Sequence, residues 1–156
     1  MKSLRALSVV ILALFSSGQV LAQTEHVITL NVNTSDIQNP NLNDYCNFGQ
    51  EEGISNEDYT IVANVGDTII WRGVSISSEN DEVQIVSINH QGDQGGRDIF
   101  GQNRLQGEDG EVRAVIQAST EDGEDYKYML SFRVLNNGEP RGGVFNIDPK
   151  IRVIGR

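Results

Sequence analysis

The groups in this chain that could carry chemistry are few in kind: His26, His90, Cys46 and twenty-two carboxylates. A nucleophilic hydrolase needs a hydroxyl or thiol, an imidazole base and an orienting carboxylate within hydrogen-bond reach of one another. Neither histidine belongs to a Gly-x-Ser-x-Gly elbow or a His-Glu-x-x-His helix, and no phosphate-cradling or dinucleotide-binding glycine loop is present. His90 reads as an ordinary histidine at the end of a strand. Carboxylate pairs of the kind that cleave glycosides are plentiful, but twenty-two acids in this length bring some together by chance. No catalytic residue is assigned from the sequence, and the chain does not read as an enzyme.

Calcium is the ion whose chemistry fits these residues best, because it takes hard oxygen ligands from loops. Three acidic turns offer them: Glu79, Asn80, Asp81 and Glu82; Glu108, Asp109 and Glu111; and Glu121, Asp122, Glu124 and Asp125. The candidate ligands are Asp81, Glu82, Asp109, Asp122 and Asp125. None of these turns has the spaced Asp-x-Asn-x-Asp-Gly pattern, and the competing reading is of polar turns that discourage strands from pairing at their edges. No other cofactor is expected. Flat aromatic rings could stack on sugars, yet Trp71 alternates with Ile69 on a face that reads as core, which leaves Tyr45 and Tyr59 beside polar loop sequence.

These residues must be positioned by strands. Beyond residue 22, period-two alternation recurs and no window sustains the i, i+3, i+4, i+7 spacing of an amphipathic helix. Ile28, Leu30 and Val32 share one face of a strand over 26–33, and Tyr126, Tyr128, Leu130, Phe132 and Val134 share one face over 126–135. Further strands are expected over 59–63, 68–74, 82–90, 111–118 and 143–153. In the 82–90 run, Val83 and Ile85 oppose Val86 and Ile88, which predicts a mid-sheet strand covered on both sides. Asn136-Asn137-Gly138 reads as a hairpin turn, and Asp148-Pro149 as a bulge or edge, since proline cannot donate to a ladder. Two long polar connections, 34–57 and 91–110, complete the chain; the first should hold a short element near 45–48, and the second is anchored by Ile99-Phe100 and Leu105. The expected fold is an all-β, two-sheet antiparallel sandwich of about seven to eight strands.

Residues 1–22 read as a signal peptide rather than as part of that fold. Lys2 and Arg5 form its basic start, Leu7 to Phe15 an apolar run too short to span a bilayer, and Val20-Leu21-Ala22 a small-residue cleavage site. No cysteine follows the cut to carry a lipid, so no membrane anchor is expected and residues 23–156 should form a single secreted or periplasmic domain. Removing two cations and no acid moves the net charge from −10 to −12. That balance excludes a nucleic-acid partner, whose phosphates require a basic face. A lone Cys46 cannot staple the domain internally; it should be a small buried hydrophobe or, alternatively, bridge two chains.

Two resemblances attach to particular segments. Val65-Gly66-Asp67-Thr68-Ile69-Ile70-Trp71 resembles the strand-entry motif of cupredoxins, but a blue-copper site needs two imidazoles and a thiolate converging from late strands, and this chain has neither Cys nor His there. The longer stretch from Asn64 through Trp71-Arg72-Gly73-Val74-Ser75-Ile76, the acidic turn from Glu79 to Glu82, the run to Ile88, Ile99-Phe100 and the ending Gly143-Val144-Phe145-Asn146-Ile147-Asp148-Pro149-Lys150-Ile151 resembles the AidA/PixA family of bacterial inclusion-body proteins. That resemblance implies a compact β-sandwich without known catalytic residues and inclined to assemble; the leader departs from it, since those members are intracellular. The functional expectation is an exported, non-catalytic binding or assembly protein. Its partner would be an unidentified small ligand, another protein or a second copy. The alternative is a calcium-dependent or degenerate cupredoxin-like metal carrier.

Overall fold

Side chains two apart share one face of an extended chain, so the alternating segments can each bury one row and expose the other. The computed structural model describes residues 23–120 and 123–155; the leader at 1–22 lies outside the described residues. Its strands in chain order are β1 (Glu25–Val32), β2 (Cys46–Asn47), β3 (Thr60–Asn64), β4 (Thr68–Ser75), β5 (Asp81–His90), β6 (Arg104–Gln106), β7 (Val112–Val115), β8 (Tyr126–Asn136), β9 (Glu139–Ile147) and β10 (Lys150–Ile154). One sheet has the order β2-β1-β4-β7; the other runs β3-β10-β8-β5-β6, with β9 also on β8. Ile28, Leu30, Ile69 and Trp71 from the first meet Ile85, Ile88, Tyr128 and Phe132 from the second in one core.

The all-β, two-sheet sandwich expected from the sequence is the fold observed, with three corrections. First, it is mixed rather than antiparallel. β1 lies parallel to β4 from Glu25↔Thr68 to Val32↔Ser75, and β10 parallel to β3 from Lys150↔Thr60 to Ile154↔Asn64. Alternation assigns faces but says nothing of a neighbour's direction. Second, the strands number ten among the described residues, because β2 and β6 are too short to show a period and the closing run is two strands. Third, β5 is not covered on both sides. A bulge between Ile85 and Ser87 shifts its register against β8, so Val83, Ile85 and Ile88 all reach the core while Val86 does not. An extra residue reverses the parity of everything after it.

Local chemistry explains the turns. Asn137 and Gly138 have φ of 50° and 83°, the left-handed pair that a two-residue hairpin between β8 and β9 requires. At Asp148-Pro149 the closing run breaks: β9 follows the C-terminal part of β8, and β10 pairs with Tyr126 and Lys127 at its start. The 34–57 connection holds a 3-10 turn at Leu42–Asp44 and then β2, and it buries Ile37, Leu42, Cys46 and Phe48. Ile99, Phe100 and Leu105 anchor the second connection in the core as expected.

At Gly73, β4 comes close against Val83 of β5. A Cβ there would stand 2.3 Å from Val83 Cγ1 and 2.8 Å from the Val83 carbonyl oxygen. Gly73→Ala should therefore push the sheets apart and cost about 1–3 kcal/mol, read as a lower urea midpoint with an unchanged slope.

Candidate functional site

Among the described residues the carboxylate of Asp67, placed by the turn between β3 and β4, gathers four side-chain hydrogen bonds. Gly66 takes φ of 90°, which lets the chain reverse tightly and drop the Asp67 side chain inward, where it is 1% exposed. The carboxylate accepts from the Thr24 N–H at 3.2 Å, the Asn64 N–H at 2.9 Å and Asn64 Nδ2 at 3.3 Å, and lies 3.0 Å from His26 Nε2. Around it the Gly66 N–H donates to the Ile116 carbonyl, and the Ile116 N–H to the Asp67 carbonyl. The side chain thus ties the start of β1 to the β3–β4 turn, and the backbone of that same turn holds the segment after β7. Burial pushes its carboxyl upward, but the bonds from His26, Asn64 and Thr24 outweigh burial and hold it well below the usual carboxylate range.

This is an imidazole–carboxylate pair in which, among the described residues, His26 makes no bond to a hydroxyl or thiol. Among the described residues His26 bonds to Asp67, and His90 Nε2 lies 3.2 Å from the Gly96 carbonyl with its ring stacked on Tyr126 at 4.9 Å. Cys46 is on neither histidine: its thiol donates to the Leu42 carbonyl at 3.2 Å, and the Cys46 carbonyl accepts from Asn56 Nδ2 at 3.0 Å. The 65–71 segment therefore places Asp67 and Trp71 for structural bonding, while the three residues soft enough for copper go to separate partners. Burial pushes the Cys46 thiol up to about 12, despite the hydrogen bond from Asn56. A thiol held protonated is neither nucleophile nor ready disulfide partner. The folded protein should accordingly resist thiol-specific labelling at neutral pH and run as a monomer on non-reducing gels, with full labelling appearing only in denaturant.

The aromatic candidates are occupied as well. Trp71 is fully buried and its Nε1 donates to the Tyr128 hydroxyl at 3.1 Å. Tyr59 stacks on Phe48 at 4.6 Å, the Tyr45 hydroxyl accepts from Gln38, and both rings pack against the core. Each ring therefore already has an apolar partner, which the polar sequence beside it did not reveal.

The acidic candidates separate in space and in use. Asp81 accepts from Thr34 Oγ1 at 2.8 Å and Asn136 Nδ2 at 2.6 Å, joining the 34–57 connection to the β8–β9 hairpin. Thr34, Asn136 and neighbouring donors hold its carboxyl below the ordinary range. Glu82 accepts from Gln84. Asp109 occupies the left-handed position of the Glu108–Glu111 turn, with φ of 49°. Asp125 holds Arg152 through two contacts of 2.8 Å. Asp122 and its neighbour Glu121 lie outside the described residues. Among the described residues no group of three or more His, Cys, Asp or Glu is arranged to hold a metal ion.

The two long connections line separate concavities. About 610 Å³ opens between Gln94, Gly95, Thr120, the buried Lys127 and the side chains of Lys150 and Arg152. About 370 Å³ opens beside Asn41, Asn43, Glu57 and Asn146. The cations of the first are already neutralised: Lys127 pairs with Asp148 at 3.2 Å, Lys150 with Asp58 at 3.2 Å and Arg152 with Asp125. The sequence had no signal for this gathering of cations, since it depends on β10 lying beside the start of β8.

No protein-family model and no curated protein matches the chain. Among solved structures it is similar to the crystal structure of a PixA inclusion body protein from Burkholderia cenocepacia J2315, with a TM-score of 0.56 and 16% identity, covering 89% of this chain and 100% of that one. The likeness is one of fold, and it agrees with the AidA/PixA resemblance carried by the β4 and β9–β10 segments.

Proposed function

We propose, on the premise of that shared fold, that this chain is an exported, non-catalytic β-sandwich that works by association through its surface. The observation that carries this reading is the dispersal of its polar machinery. The two long connections serve separate concavities, and the histidines, the thiol and the cations facing the larger concavity are spent on internal contacts. A binding site for a small molecule gathers unsatisfied polar groups in one hollow; here the histidines, the thiol and the three cations are scattered, and each has an internal partner. The leader at residues 1–22 supports a periplasmic or secreted address, and the solved neighbour's name as an inclusion body protein supports self-association in particular. No metal is part of the proposal.

The test is sedimentation of the protein from residue 23 onward over a wide dilution series, with and without chelator. Reversible, concentration-dependent association that ignores chelation is expected, together with an unchanged melting temperature. Stoichiometric calcium in the purified protein and a melting temperature that falls on chelation would install the metal-carrier alternative instead.

A further inference from the structure

The strand edges of the two sheets are not equally protected. β2 is two residues long, β6 is three and bears Arg104, and β7 carries Arg113 paired with Glu25. β9 contains Pro140 and Arg141, and its register slips between Phe132 and Val134 of β8. Shortness, charge, proline and bulging all discourage another chain from adding to an edge. β3 has none of these. Its sequence Thr60-Ile61-Val62-Ala63-Asn64 is uncharged, its register with β10 is continuous, and it is the terminal strand of the larger sheet.

The parity of its hydrogen bonds shows which groups face outward. The Lys150 N–H donates to the Tyr59 carbonyl, while Val153 exchanges bonds with Thr120 on the far side of β10. In a parallel ladder this assigns the odd residues of β3 to β10 and turns the backbone groups of Thr60, Val62 and Asn64 to the free edge. Val62 is also 51% exposed, and Ile154, next to Asn64 in register, is 44% exposed.

We infer that two copies of this chain join edge to edge through β3, antiparallel about a twofold axis at Val62. The inference rests on the self-association reading above and names its surface. Such a pairing sets Val62 opposite the partner's Val62, with their N–H and C=O groups exchanging bonds. Thr60 then lies opposite the partner's Asn64, whose carbonyl already accepts from the Asp67 N–H and offers its second lone pair to the Thr60 N–H. The ladder ends there, because the Asn64 N–H is already held by the Asp67 carboxylate. A second copy is the occupant that the backbone groups favour, because the same row of N–H and C=O groups faces itself in an antiparallel pairing. A chain near −12 repels its own kind, and β3 brings no charge to the seam, while the nearest outward cations, Lys150 and Arg152, are neutralised by Asp58 and Asp125. An isologous contact also closes on itself, leaving every other face of the dimer available.

Sedimentation velocity of the protein from residue 23 onward tests this with three variants. Val62→Pro removes an edge-facing N–H without touching the β10 ladder, Val62→Lys places a charge on the twofold, and Val115→Lys does the same on the β7 edge. The wild type and Val115→Lys should show the dimer, and both Val62 variants should lose it while retaining the β-sheet circular dichroism spectrum. If Val62→Pro fails to fold, Val62→Lys alone decides. A wild-type dimer that persists in folded Val62→Lys overturns the edge assignment and leaves the proposed function standing. A wild type that stays monomeric at every concentration overturns both.

Discussion

Asp67→Ala should destabilise the domain by about 2–5 kcal/mol, a large share of what holds a domain of this size together. The side chain is buried and serves the Thr24 N–H, the Asn64 N–H and side-chain amide, and the His26 ring. Alanine leaves two backbone donors without their acceptor at a point where β1, the β3–β4 turn and the segment after β7 converge. Asp67→Asn keeps one oxygen and should cost less. The two variants also differ from the wild type in their response to acid. The Asp67 carboxyl titrates lower in the folded state than its unfolded value of about 3.9. Its contribution is therefore complete above that unfolded value and fades as pH falls through the acid range toward the folded one. Urea midpoints measured from neutral pH downward should fall more steeply for the wild type than for Asp67→Asn, so that the two curves converge in acid. Parallel curves would show that the carboxylate's charge is not what the turn depends on.

Trp71→Ala should cost about 3–5 kcal/mol, the usual price of deleting a fully buried large aromatic. Trp71 sits at the centre of the interface between the sheets, edge-on to both Phe100 and Tyr128 at ring separations of 5.6 and 5.8 Å. Its removal leaves a cavity in a place that rigid strands on both sides prevent from collapsing. It also strips the Tyr128 hydroxyl of its donor. Burial already pushes that phenol well above its ordinary range, so it stays protonated and needs an indole or similar partner to be satisfied. Trp71→Phe fills most of the volume while losing the donor, and should fall between wild type and Trp71→Ala. Thermal melts of the three proteins order them directly; a Trp71→Phe protein as unstable as Trp71→Ala would mean that the hydrogen bond, not packing, dominates there.

Much of the scaffold was legible because burial on one face writes a period into the chain. The row from Tyr126 to Val134 appears in the sequence as it does in the core, and Asn137-Gly138 announces its turn through the positive φ both residues tolerate. What could not be read are relations between segments. Nothing in β1 or β4 encodes that they run parallel, and the bulge in β5 made a one-faced strand look two-faced, because Val86 is apolar although it lies outside the core. The candidate site shows the same division. Gly66-Asp67 was visible as a turn motif, but the role of Asp67 as a clamp depends on His26 and Thr24, forty-one and forty-three residues away. The gathering of Lys127, Lys150 and Arg152 depends on β10 meeting β8, and the unguarded state of β3 is visible only once every other edge has been placed.

Hydrogen exchange, read residue by residue at low and high protein concentration, reaches the central claim most directly. If copies associate through the free edge of the larger sheet, the amides of Thr60 and Val62 should exchange quickly when dilute and slow markedly when concentrated, whereas Ile61 and Ala63, bonded to β10, should be slow in both. Concentration-independent exchange at Thr60 and Val62, or new protection appearing on the β7 or β9 edge instead, would contradict it.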